Sequence, residues 1–262
     1  MTEQRHNRGY GTAAGLFGVL AVIFLKFKVA ILAALKAVPL LKLGWLLKGS
    51  WTMIFSLGLY TMMFGWRYAV TLVGLIYIHE MGHYIFMKAN GLNPKAPVFV
   101  PFLGAYVAMT NLPRDPVLHA WVAYAGPLVG GLGAVALYWL GIQSGNVYLI
   151  AAANTGFILN LLQLVPVRPF DGGFISACIS KWLSVPGIIL LVLTALCFHS
   201  VLLLVISAFA GFSMVSRWHD PDPGALVSGG QRFLVTLAYF GLAACLAWMY
   251  WLSEGQLIGV SG

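Results

Sequence analysis

Residues 68–87 of this chain make an apolar run long enough to cross a bilayer, and inside it sit His79, Glu80 and His83. That conjunction constrains the fold more than any other feature. Ionisable side chains at membrane depth persist where they pair, coordinate or react, so this segment must turn one face to the inside of a helical bundle. On a helix, residues i and i+4 share a face, and both imidazoles can then reach a single metal ion. With Glu80 beside them as base toward a water molecule, the pattern His-Glu-x-x-His is that of metal-dependent hydrolases, and Zn2+ is the expected cofactor.

Composition agrees with a chain that lives in lipid. Hydrophobic residues make up 60% and charged residues 8%, against about 45–50% and about 25% in soluble domains. The mean hydropathy is +0.88. The expected fold is therefore all-α: a polytopic membrane bundle of about six transmembrane helices at ~20 residues each. Cys178, Cys197 and Cys245 lie in apolar runs without CxxC spacing, so neither a disulfide framework nor a thiolate metal site is suggested. The formal charge of +8 sits at the flanks of apolar segments, where it sets orientation and meets lipid headgroups. The lipid bilayer is the expected partner, and nucleic acid is not.

Three regions are expected along the chain. Residues 1–50 start with a short basic stretch, without a cleavage site for a signal peptide. They continue as amphipathic helices interrupted by Lys26, Lys28, Lys36, Lys42, Lys48 and Pro39, lying on the membrane surface; a hairpin dipping in from residues 12–38 is the alternative. Residues 51–175 form a catalytic transmembrane core, with spans at 51–66, 67–88, 117–141 and 146–165. Residues 176–262 supply two further spans, 186–211 and 233–252.

Between residues 90 and 116 the prolines Pro94, Pro97, Pro101, Pro113 and Pro116 exclude a long helix. Val98-Phe99-Val100 and residues 105–109, around Gly104, read instead as a short membrane-associated β-hairpin. Open sheet edges are not tolerated against lipid, so the hairpin must be covered by protein or line a watery cavity. A free edge there can accept a peptide as an added strand, although a plain connector is an equally good account.

Span parity selects the third ligand. If the helix at 67–88 places its histidines near its far end, the next span returns and the fourth comes back, so the turn after it lies at the histidines' depth. That turn is Pro166-Val167-Arg168-Pro169-Phe170-Asp171-Gly172-Gly173. Glu3, Asp220, Asp222 and Glu254 fall in polar termini or a late loop, and Asp115 sits beside Arg114. Asp171 remains. Capping of the following helix is its alternative role, since Asp is a favoured N-cap. Lys88, Lys95, Arg114, Arg168 and Lys181 gather on the same side and the loop at 142–145 carries no charge, which makes that side cytoplasmic by the positive-inside rule.

Together these stretches resemble the site-2 protease family of intramembrane zinc metalloproteases, which carries an HExxH helix and a later Asn-x-x-Pro-x-x-x-Leu-Asp-Gly motif. Here the second motif runs from Asn160 through Gln163 and Pro166 to Phe170-Asp171-Gly172, and the resemblance covers roughly residues 51–175. It implies His79, His83 and Asp171 as zinc ligands, Glu80 as base, and hydrolysis of peptide bonds in or near transmembrane segments of a membrane protein substrate. Ala125-Gly126-Pro127 in the next span also matches the family. Phe170 replaces the family's leucine. Gln163 stands where an asparagine is usual, so the substrate-orienting amide is either Gln163, on a longer arm, or Asn160, one turn earlier. No PDZ-sized insertion separates the motifs. Two rival readings are a metal or proton transporter, which needs more polar residues along a path than Asn154, Asn160, His119 and His199 supply, and an inactive scaffold of the same fold.

Overall fold

Helix 66–89 contains no proline, and its final turn closes on Asn90, whose backbone N–H reaches back to Phe86 and Met87. The chain's other helices are bounded in equally local ways. In the computed structural model the described residues are 50–101, 104–108, 115–220 and 222–261. The sequence reading of the N-terminal amphipathic helices lies outside them, apart from residue 50. In chain order the helices are α1 (Ser50–Phe64), α2 (Trp66–Ala89), α3 (Pro116–Ser144), α4 (Val147–Gln163), α5 (Asp171–Ile179), α6 (Ser184–Cys197), α7 (Val201–Ser216) and α8 (Gly229–Ser261). Two strands, β1 (Val98–Val100) and β2 (Gly104–Tyr106), follow α2.

Caps explain where several helices begin. Asp115 accepts from the N–H of Val117 at 2.9 Å and Pro116 occupies the first turn of α3, where a missing N–H costs nothing. Asn146 does the same for α4 through Tyr148, at 3.0 Å. Gly145 ends α3 in the left-handed conformation, so the uncharged loop joining α3 to α4 is a tight reversal.

The helix α3 is the hub. It packs against α2, α4, α5 and α8. Val117, Ala120, Phe157, Ile175, Cys178, Tyr239 and Leu246 form the main buried cluster among α3, α4, α5 and α8. Small residues allow these close approaches, which is the normal device for helix association where lipid offers no hydrophobic contrast. The Tyr239 hydroxyl donates to the Leu164 carbonyl at 2.5 Å, tying α8 to the turn that ends α4. Outward faces are apolar: Leu237, Trp248 and Trp251 of α8 and Phe209 and Phe212 of α7 are all exposed, as lipid-facing side chains are. Three helices are long and apolar enough to cross a membrane, within α2, α3 and α8; α1, α4, α6 and α7 are shorter apolar helices. An all-α polytopic bundle carrying a small hairpin is thus the fold.

Two sequence expectations change. The run 186–211 is not one span but the pair α6 and α7, which pack on each other. His199 adopts a positive φ of 49° and the Ser200 hydroxyl caps Leu203 at 3.3 Å, so the break is local and polar inside an apolar stretch. Glu254 is not in a polar terminus, because α8 continues past it and its Oε2 accepts from Asn154 Nδ2 at 3.0 Å.

The hairpin forms at the expected place, antiparallel, with Val98 opposite Tyr106 and Val100 opposite Gly104. Its second strand is shorter than expected, ending at Tyr106. Phe99 is buried, and its N–H donates to Thr52 Oγ1 at 3.0 Å, which fastens β1 to α1.

Candidate metal centre

His79 and His83 project from one face of α2, one turn apart and both buried, with ring centroids 4.8 Å from each other. Each ring is held at its Nδ1. His83 Nδ1 lies 2.8 Å from the carbonyl oxygen of Val122 on α3, a group that only accepts. His79 Nδ1 lies 2.9 Å from Oδ1 of Asn160 on α4. The orientation of that amide follows from its other end, where Nδ2 donates to the Gly156 carbonyl at 2.8 Å. Both histidines must therefore carry their proton on Nδ1. Both Nε2 lone pairs are free.

Those two Nε2 atoms are 3.1 Å apart, and Asp171 Oδ2 lies 3.1 Å from one and 3.3 Å from the other. With the ring protons already placed, these short distances are not hydrogen bonds. Asp171 Oδ2 is accordingly buried with no hydrogen-bond donor. Three acceptor atoms converging without a proton between them repel one another unless a cation joins them. Tetrahedral zinc with bonds of about 2.0–2.2 Å needs ligand atoms about 3.3–3.6 Å apart, close to the spacing found. His79, His83 and Asp171 are the cluster of metal-ligating type among the described residues, and the donor set fits zinc.

Asp171 reaches this point as the first residue of α5. It does not cap the helix: the N-cap is Phe170, and no side-chain cap bond is present. Gly172 and Gly173 stand against backbone, the former on Leu164 and Val165 and the latter on Val167 and Arg168, so a β-carbon at either would collide. The turn is packed to contact by its own chain.

Glu80 is buried next to the histidines, with Oε2 free of hydrogen bonds and the backbone of Val107 as a hydrogen-bonding neighbour. A cavity of about 260 Å³ opens over these groups, walled by His119, Gln163, Phe174 and residues Ala105, Tyr106 and Val107 at the end of the hairpin. The hairpin thus lines the cavity. A second, more apolar cavity of about 250 Å³ reaches Glu80 and Gln163 from Tyr60, Leu72, Ile76, Leu203 and Ile206.

The two amides that the sequence offers as alternatives are separated by the structure. Asn160 stands behind His79 with both ends of its amide engaged, whereas Gln163 stands on the wall of both cavities. Two contributors escaped the sequence reading. The Val122 carbonyl is a backbone group, and no residue type signals it. Gly126 is legible as a small residue within the Ala125-Gly126-Pro127 that matches the family, without a role at the histidines, yet a β-carbon there would strike His83 Nε2 and come within 2.8 Å of His79 Nε2.

A buried two-histidine, one-carboxylate cluster with a glutamate beside it, set in a bundle of apolar helices, is a donor set able to hold a divalent metal. Residues 67–153, which carry both histidines, Glu80, the hairpin and Gly126, match the model of Peptidase family M50. That match takes in about a third of the chain, and the similarity to the family is a similarity over those residues. Among solved structures, the site-2 protease from Methanocaldococcus jannaschii is similar at 20% identity, over 63% of this chain and 85% of that one, with a TM-score of 0.43. No curated protein matches the chain.

Proposed function

We propose that the protein is an intramembrane zinc metalloprotease that hydrolyses peptide bonds in or near transmembrane segments of other membrane proteins. The observation that carries this reading is the convergence of His79 Nε2, His83 Nε2 and Asp171 Oδ2 with the unpartnered Oε2 of Glu80 beside them. These three atoms are the zinc ligands. When bound there, zinc supplies a Lewis acid that polarises a carbonyl and lowers the pKa of water from 15.7 toward ~7.

The remaining chemistry belongs to the chain. Glu80 accepts the proton of the attacking water and returns it to the leaving amine, so it acts first as base and then as acid. Asn160 and Val122 keep both imidazole protons on Nδ1 and hold the rings in place. Gln163 donates its amide N–H to the substrate carbonyl and to the oxyanion that develops from it, a role supported by its position on the wall of both cavities. The apolar cavity between α1, α2, α4 and α7 suits side chains of a lipid-borne segment. Its backbone must unwind before cleavage, because a helix shields its own carbonyls. By the positive-inside rule the site lies nearer the cytoplasmic side.

Replacement of Glu80 by glutamine tests the assignment. Purified Glu80→Gln should retain zinc by elemental analysis, while cleavage of a reporter membrane helix falls by about 10²–10⁴-fold. Cleavage at the wild-type rate would sink the mechanism.

A further inference from the structure

A third cavity, of about 200 Å³, lies on the other side of the turn that carries Asp171. Its walls include Val167, Arg168 and Gly173 from that turn, Lys181 from the short turn before α6, Ser184 at the start of α6, and Arg217 past the end of α7. Three cations therefore meet at one place where helices end. Among the described residues, none of the three lies within ion-pairing distance of a carboxylate.

They are held by other means. The Arg168 guanidinium sits 4.6 Å from the Phe174 ring centroid, and Lys181 Nζ sits 5.4 Å from the Trp218 ring and 3.5 Å from the Trp218 carbonyl. Aromatic faces position a cation without neutralising it. Two acids share the cavity, Asp222, whose Oδ1 also caps Gly224 at 3.0 Å, and the exposed Asp220, so three cations face two carboxylates and an excess positive charge remains. Ser184 and Ser213 add hydroxyl groups to the wall.

The depth of the site is marked by tryptophan. Trp182 is exposed and packs edge-on against Trp218, with centroids 4.9 Å apart, at the end of a bundle whose sides are apolar. Tryptophans in such a position mark the boundary between hydrocarbon and headgroups. Guanidinium and ammonium groups at that level are matched to phosphate oxygens, which take forked N–H donors from arginine and a point charge from lysine.

We infer that Arg168, Lys181 and Arg217 form a binding site for a phosphate-bearing anion, seated behind the Asp171 turn. Its occupant is either the headgroup of an anionic phospholipid or a soluble phosphate. Because Val167, Arg168 and Gly173 belong to both the site and the Asp171 turn, an occupant braces the segment that delivers the carboxylate.

The experiment uses the full chain in neutral detergent. Native mass spectrometry counts phosphatidylglycerol and, separately, phosphatidylcholine retained by the protein, while thermal unfolding is followed as inorganic phosphate is added. Preferential retention of phosphatidylglycerol, weakened about fivefold by each of Arg168→Gln, Lys181→Gln and Arg217→Gln, assigns a lipid headgroup. Stabilisation by inorganic phosphate with the same dependence on the three residues assigns a soluble anion. Arg217 is exposed, so its replacement leaves packing intact, and Asp220→Asn should tighten binding by removing a competing charge. Undiminished binding in the glutamine variants, or no preference for phosphatidylglycerol together with no response to phosphate, overturns the assignment.

Discussion

The amide oxygen of Asn160 accepts from His79 Nδ1 at 2.9 Å, and the amide nitrogen of the same residue is fixed by the Gly156 carbonyl one turn back on α4. A neutral side chain on one helix thereby dictates which nitrogen of a histidine on another helix is free. Asn160→Ala leaves a buried N–H unsatisfied and releases the ring. Zinc affinity, measured by chelator competition, should fall by about 10–100-fold, as is usual when the partner of a metal-binding histidine is removed.

Gly126 tests the close approach of α3 to the histidine pair. Gly126→Ala places a methyl group against His83 Nε2. Overpacking costs about 1–3 kcal/mol in a rigid interior, and here the strain falls on a ligand atom. Zinc stoichiometry should drop well below one per chain while helical content by circular dichroism is unchanged. Alanine at Gly58, which has open space around it, is the matching control and should retain zinc.

Asp171→Asn separates an anionic ligand from a helix-starting residue. The amide keeps the shape and any capping capacity but loses the charge that a cation needs opposite two neutral imidazoles. Zinc content and cleavage should both collapse, with membrane insertion unaffected. Normal stoichiometry in this variant would remove Asp171 from the site.

Orientation is open to labelling in intact cells. Ser144 lies in the last turn of α3, by the uncharged reversal, and Asn93 follows α2 on the histidine side. With the native cysteines replaced, a cysteine at position 144 should react with an impermeant thiol reagent from outside, and one at position 93 should not. The reverse pattern would place the site on the outer face.

How far the sequence led can be judged from particular residues. His79, Glu80 and His83 declare themselves through spacing, since i and i+4 fix a shared face before any tertiary contact exists. Asp171 was reachable by counting spans, because each span reverses direction. Asn160 and Gln163 enter the sequence reading only as alternatives for a substrate-orienting amide; the contact of Asn160 with His79 depends on helix rotation, which the sequence does not display. The split of 186–211 into α6 and α7 was hidden because a polar interruption at His199 and Ser200 is weak beside the apolar residues around it. Glu254 was misplaced for a related reason: a carboxylate near a chain end reads as solvated, and its partner Asn154 lies 100 residues earlier.

Translation gives the separation of the ligands a meaning in time. The ribosome exposes His79 and His83 well before Asp171, and at about 5–20 residues per second the interval is on the order of ten seconds. Throughout it the nascent chain offers only a two-nitrogen half-site, and Asn160, which holds His79, is made only near its end. On the proposed function, tight capture of metal waits until residue 171 has been made, and a chain stalled earlier lacks the third ligand.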